Sequence, residues 1–118
     1  MPQLIATPTA IPVPGGKQID EYAGRVVSGD SRVSVAVMTA PAGWSEPAQQ
    51  PEFDEVTVVL AGEVVVEHAD GALHVAAGQA VITRAGERVR FAVGPQGAHY
   101  VAVCTPAFDV DLAHRDPE

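Results

Sequence analysis

The chain has 118 residues, enough for one hydrophobic core and too few for two. A formal net charge of −8 with 47% hydrophobic residues excludes wholesale disorder. It also argues against nucleic acid or an anionic membrane as a partner, because both need a basic surface. The single cysteine, Cys104, excludes an intramolecular disulfide, and no Cys/His run has zinc spacing.

Residues 1–18 read as an extended arm. Pro2, Pro8, Pro12 and Pro14 remove backbone donors, and Gly15-Gly16 closes the stretch. Leu4, Ile11 and Val13 give it an apolar side, which leaves open a loosely held tail and an arm laid across a partner subunit. The start carries prolines and no basic segment, so it does not read as a signal peptide. No apolar run is long enough to span a membrane, and the expectation is a cytoplasmic protein.

Residues 19–108 read as short strands between turns, an all-β pattern rich in valine. The expected strands are Arg25–Ser28, Arg32–Thr39, Glu55–Leu60, Glu63–His68, Ala72–Ala76, Ala80–Thr83, Arg88–Val93 and His99–Thr105. In Arg32–Thr39, alternation puts Val33, Val35 and Val37 on one face and Ser34, Ala36 and Met38 on the other. In the last strand His99, Val101 and Val103 alternate with Tyr100, Ala102 and Cys104, and either set could face inward. Gly62, Gly71, Gly78, Gly86, Gly94 and Gly97 punctuate the pattern at the rhythm of a sandwich or barrel.

Asp70-Gly71 is a strong two-residue hairpin signal. It predicts Ala69 opposite Ala72, His68 opposite Leu73 and Glu67 opposite His74, so that His68 and His74 point to opposite faces and cannot share a metal. Residues 109–118 read as an irregular tail in which Phe108 and Leu112 could anchor the chain, with His114-Arg115-Asp116 solvated.

The stretch Gly43–Gly62 organises the rest. Its skeleton is Gly43, five residues, Gln49-x-Pro51, three residues, Glu55, six residues, Gly62. This closely resembles the first signature of the cupin superfamily, in which two histidines stand where Gln49 and Pro51 stand here. The second signature is similar to the stretch from Gly78 to Val93, with Gly86 in place, Arg84 for the proline, Val89 for the histidine and Val93 for the asparagine. The resemblance implies a single-domain cupin: an antiparallel β-barrel or jelly roll closed around a pocket, often dimeric through sheet edges and N-terminal arms. Outer apolar positions Val56, Val58 and Leu60 fit a homodimer.

In metal-binding cupins the histidines and the glutamate hold a divalent ion. Here Pro51 and Val89 carry no side-chain donor, and an amide oxygen is a weak ligand, so no metal and no cofactor are expected. The resemblance turns the face bearing Gln49, Phe53, Glu55 and Thr57 inward, toward a cavity that Met38, Trp44, Val89 and Phe91 would help to line. A carboxyl group among apolar side chains is destabilised as an anion, which raises its pKa into the range of acid–base work. Glu55 is therefore the expected proton-transfer residue, with Gln49 hydrogen-bonding the ligand and His99, if inward, as acid–base partner. A structural Glu55 tied to backbone amides or Arg90, or solvated at the barrel mouth, stays open as the alternative. Arg84, Arg88 and Arg90 are expected on the outer face, and Cys104 as a small buried hydrophobe.

Three functions follow for a small organic ligand: a metal-independent isomerase, lyase or cyclase; a non-catalytic binder or sensor; or a metal-dependent cupin enzyme, such as a dioxygenase, with an atypical ligand set. The first is the expectation. The resemblance favours it because the superfamily is rich in enzymes.

Overall fold

The computed structural model describes residues 1–117. Seven antiparallel strands and one helical turn make up its regular structure: β1 (Thr9–Ile11), β2 (Gln18–Ala23), β3 (Ser34–Ala40), β4 (Asp54–His68), β5 (Gly71–Ala76), β6 (Ala80–Thr83), β7 (Arg90–Thr105) and α1 (Val110–Ala113). The ladders run in the order β1-β2-β3-β7-β4-β5, with β6 also on β4.

Two long strands hold the barrel together. β4 and β7 have 15 and 16 residues, and each fuses two strands expected from the sequence. Thr57 pairs with Ala102 in one half and Val66 with Phe91 in the other. Between the halves the register shifts at Val59/Ala61 and Gly62/Val64, and these bulges bend the pair so that its inner face curves around a core. Gly62 and Gly97 make the bend possible. Both have positive φ, and a methyl at Gly62 would stand 2.1 Å from the Gly97 carbonyl oxygen. Val59, Val64, Val66, Phe91 and Tyr100 fill the resulting interior.

Four sequence expectations need correction. Arg25–Ser28 forms a turn and no strand, because the buried Glu21 carboxylate accepts hydrogen bonds from the Val26 and Val27 amides at 3.0 and 2.8 Å. Those donors are satisfied locally, without a ladder. The expected arm contains β1, which pairs with β2 from Thr9↔Glu21 to Ile11↔Ile19 and is thereby folded back onto its own barrel. The β4–β5 hairpin turns through Ala69-Asp70, with His68 opposite Gly71 and Val65 opposite His74. His74 therefore lies near Glu63, 3.4 Å away, while Glu67 pairs with Arg90. The C-terminal segment keeps Phe108 and Leu112 as its expected anchors, on Phe53 and Cys104, but it is not irregular throughout: Asp109 caps α1 by accepting from the Asp111 amide, and Arg115, expected in solvent, reaches Gln49. Glu118, the last residue of the expected tail, lies outside the described residues.

The outer face is as expected for the arginines. Arg84 lies 3.8 Å from Asp54, Arg88 pairs with Asp116, and Arg90 with Glu67 rather than Glu55. No helix among the described residues is long and apolar enough to cross a membrane.

Candidate functional site

A cavity of about 270 Å³ opens between β2, β3, β7 and the loops that precede β2 and β4. Small side chains create it. Ala36 on β3 and Ala102 on β7 are direct cross-strand partners, and their methyl groups leave unfilled the space that larger residues would occupy. Trp44, Phe91, Tyr100 and Met38 provide apolar walls.

Glu55 is the second residue of β4. It is paired across the ladder with Cys104, which is paired in turn with Ser34, so the three face the cavity in one row. Its Oε2 accepts a hydrogen bond from Thr57 Oγ at 3.1 Å, and its Oε1 lies 3.7 Å from Cys104 Sγ. Burial raises the Glu55 pKa above the ordinary carboxylate value, and the Glu46 charge raises it further; Lys17 and the two hydrogen bonds oppose the shift. The same environment lowers the Lys17 pKa, first through burial, and raises those of the Tyr100 hydroxyl and Cys104 thiol, again through burial first.

The C-terminal segment completes the wall. Gln49 forms an isolated bridge with Arg115, whose guanidinium donates to Gln49 Oε1 at 3.3 Å and lies 3.2 Å from Glu46 Oε2. Its Nε is buried and has no hydrogen-bond partner among the described residues. On the other side Pro14, Gly15 and Gly16 turn the chain so that Lys17 Nζ sits 4.2 Å from the Trp44 ring centroid and 5.5 Å from that of Tyr100.

The structure brings together five of the nine residues expected here: Glu55, Gln49, Met38, Trp44 and Phe91 line the cavity. Thr57 is buried behind Glu55 as its hydrogen-bond donor. Val89 is opposite Gln49, with backbone hydrogen bonds of 2.8 and 2.9 Å, but its side chain belongs to the packed core. Phe53 lies outside the cavity, in the cluster under α1, with its ring edge-on to Phe108 at 5.8 Å. His99 is also outside. Tyr100, Ala102 and Cys104 take the inner face of β7, which leaves His99 on the outer face, 3.1 Å from Thr39 Oγ.

Tyr100 and Cys104 come from the set of β7 that the alternation left open as a candidate inner face, whereas Lys17, Glu46 and Arg115 are cavity residues that the sequence does not announce. Lys17 had one signal, being the only lysine in the chain. Arg115 had none, since it meets Gln49 across 66 residues.

Among solved structures, a Streptomyces nucleoside dehydratase superposes with a TM-score of 0.76 at 13% identity, over 98% of this chain and 90% of that one. The polyketide cyclase RemF from Streptomyces resistomycificus gives 0.73 at 20% identity, over 99% and 83%. KdgF from Halomonas sp. gives 0.73 at 16%, over 88% and 93%. The fold is a cupin barrel. At these identities the likeness concerns the cupin fold alone. A curated relative, the endoribonuclease YbeY of Myxococcus xanthus, is 44% identical over 107 residues, which is 90% of this chain but 36% of that protein. No family model matches the chain.

Proposed function

We propose that this cupin barrel is a metal-independent enzyme of the isomerase, lyase or cyclase type, which moves a proton on a small organic ligand through Glu55. One observation carries the reading: Glu55 faces a mostly apolar cavity, held by a hydroxyl and a thiol, with burial pushing its pKa up. Gln49, its carbonyl oxygen occupied by Arg115, has its amide NH₂ left to orient the ligand. A dehydratase and a cyclase among the structural neighbours agree with proton transfer as the class of chemistry.

The donors at the four signature positions do not fit a divalent ion. Gln49 is engaged by Arg115, Pro51 and Val89 have no side-chain donor, and Glu55 stands alone. Among the described residues no three His, Cys, Asp or Glu side chains converge. The endoribonuclease name belongs to a relative of which this chain spans about a third, and a net charge of −8 disfavours a polyphosphate ligand.

The test is an NMR screen of small hydroxyl- and carbonyl-bearing compounds, followed by turnover assays on those that bind. Shifts should gather on Met38, Trp44 and Phe91, and Glu55→Gln should lower turnover by about 10²-fold or more while binding persists. Undiminished turnover in Glu55→Gln, or ligands gathering elsewhere, would overturn the reading.

We further propose a homodimer through the outer face of the sheet. Val35, Val103, Val56 and Ile82 form one row across four strands there, and Val37, Val101 and Val58 form the next. Ile82 and Val58 remain 51% and 37% exposed, an apolar stripe that a second copy would cover. Sedimentation velocity should give a dimer for the native chain and a monomer for Val58→Asp. A native monomer at micromolar concentration removes the proposal.

A further inference from the structure

Among the described residues, Lys17 is the one charged side chain of the cavity with neither an ion pair nor a hydrogen bond. Arg25, Arg84, Arg88, Arg90 and Arg115 all reach a carboxylate within 4.0 Å, and Arg32 is exposed to water, whereas Lys17 forms neither an ion pair nor a hydrogen bond among the described residues. It is not a surface lysine left to water. Its side chain is drawn in by the turn at Gly15-Gly16, where even an added methyl group at Gly15 would lie 3.4 Å from the Trp44 ring nitrogen. Nζ rests against the Trp44 and Tyr100 rings and faces the cavity.

The nearby carboxylates do not neutralise it by contact. Glu46 is taken by Arg115, and Glu55 by Thr57 and Cys104. The cavity therefore holds a cation and a proton acceptor that do not touch, with Trp44, Phe91 and Tyr100 in its lining to offer aromatic surface to a ligand. An ammonium group so placed gains from an anion more than it would in water, because little solvent screens the pair.

We infer that Lys17 stabilises a ligand oxyanion, and that the ligands are small planar phenols or conjugated carbonyl compounds that ionise to a phenolate or enolate. This rests on the proposed role of Glu55 and assigns the other half of the reaction. Glu55 carboxylate takes the proton. For a carbonyl compound the C–H bond breaks beside the carbonyl, its electron pair becomes the new carbon–carbon π bond, and the carbonyl π pair moves onto oxygen. Lys17 Nζ–H then hydrogen-bonds that oxygen. Return of the proton from Glu55 to another carbon completes an isomerisation, with no oxidant or reductant consumed. The ionisable groups lining the cavity are Lys17, Glu21, Glu46, Glu55, Tyr100, Cys104 and Arg115, with Glu21 held by the Val26 and Val27 amides. The direction of the Lys17 shift agrees: burial lowers its pKa, and a bound anion would restore it.

The probe is 4-nitrophenol, whose phenolate absorbs at longer wavelength than the phenol. Titrated at a pH below its own ionisation midpoint in water, it should bind as the phenolate and quench Trp44, the only tryptophan. Lys17→Met should weaken binding of the phenolate by about tenfold or more. Lys17→Arg, which keeps the charge but cannot form an imine, should retain the phenolate band and so exclude both a folding defect and a nucleophilic lysine. Phenolate bound equally well by Lys17→Met, or probe bound as the neutral phenol, would overturn the inference and leave Glu55 untouched. Absence of Trp44 quenching would overturn this ligand class, whereas the role of Glu55 is decided separately by turnover of Glu55→Gln.

Discussion

Glu55 has little to hold its negative charge. A hydroxyl and a thiol reach its oxygens, no arginine among the described residues does, and the Glu46 charge repels it. Its inward direction follows from alternation: Gln49, Pro51, Phe53, Thr57 and Val59 are all buried, two residues apart. Alternation gave direction without depth. Phe53 and Val89 share the inward sense with Glu55 but meet packed side chains, because α1 fills the space on one side and the core fills it on the other. The face of His99 could not be chosen from the sequence, since both sets of alternating residues in β7 are largely apolar. The outer face keeps Val101 and Val103 half-buried, so hydrophobicity marks neither side. Arg115 and Lys17 come from opposite ends of the chain, where no local pattern ties a residue to a cavity wall.

At the level of elements, the glycines spaced through the signatures carried most of the fold. Gly62, which closes the first signature, marks the bend of β4, and Gly97, just beyond the second, marks that of β7, although the sequence divides each of these continuous strands in two. The β4–β5 register differs from the expected one by two residues, a slip that keeps every side chain on its face. Hydrophobic pattern cannot select between such registers, and the strong Asp70-Gly71 signal favoured the other one. Gly62 and Gly78 have similar positive φ but different surroundings: Gly62 faces the Gly97 carbonyl, while nothing lies within 4 Å of Gly78. Gly62→Ala should therefore destabilise by about 3 kcal/mol or more, through clash added to backbone strain. Gly78→Ala should cost only the strain, about 1 kcal/mol. Urea denaturation of the two variants checks this, and equal losses would mean that the close approach at the bend is not what requires glycine.

The whole molecule is a scaffold whose rigid ladders position a cavity that local sequence does not describe. Barrel closure brings β3 beside β7, and only then do Ala36 and Ala102 become the gap that a ligand can enter. The resemblance in Gly43–Gly62 was enough for the architecture because bends and strand spacing are local. The chemistry was less legible, since it combines Lys17, Glu46, Glu55 and Arg115 from four separate segments. Among these Glu55 carries the central claim, and its own ionisation is the direct test. Carbon-detected NMR of the Glu55 side-chain carboxyl, followed through a pH titration, should give a midpoint above the ordinary glutamate value of 4.5. A midpoint at or below 4.5 would contradict a desolvated acid–base carboxyl and return Glu55 to a structural role.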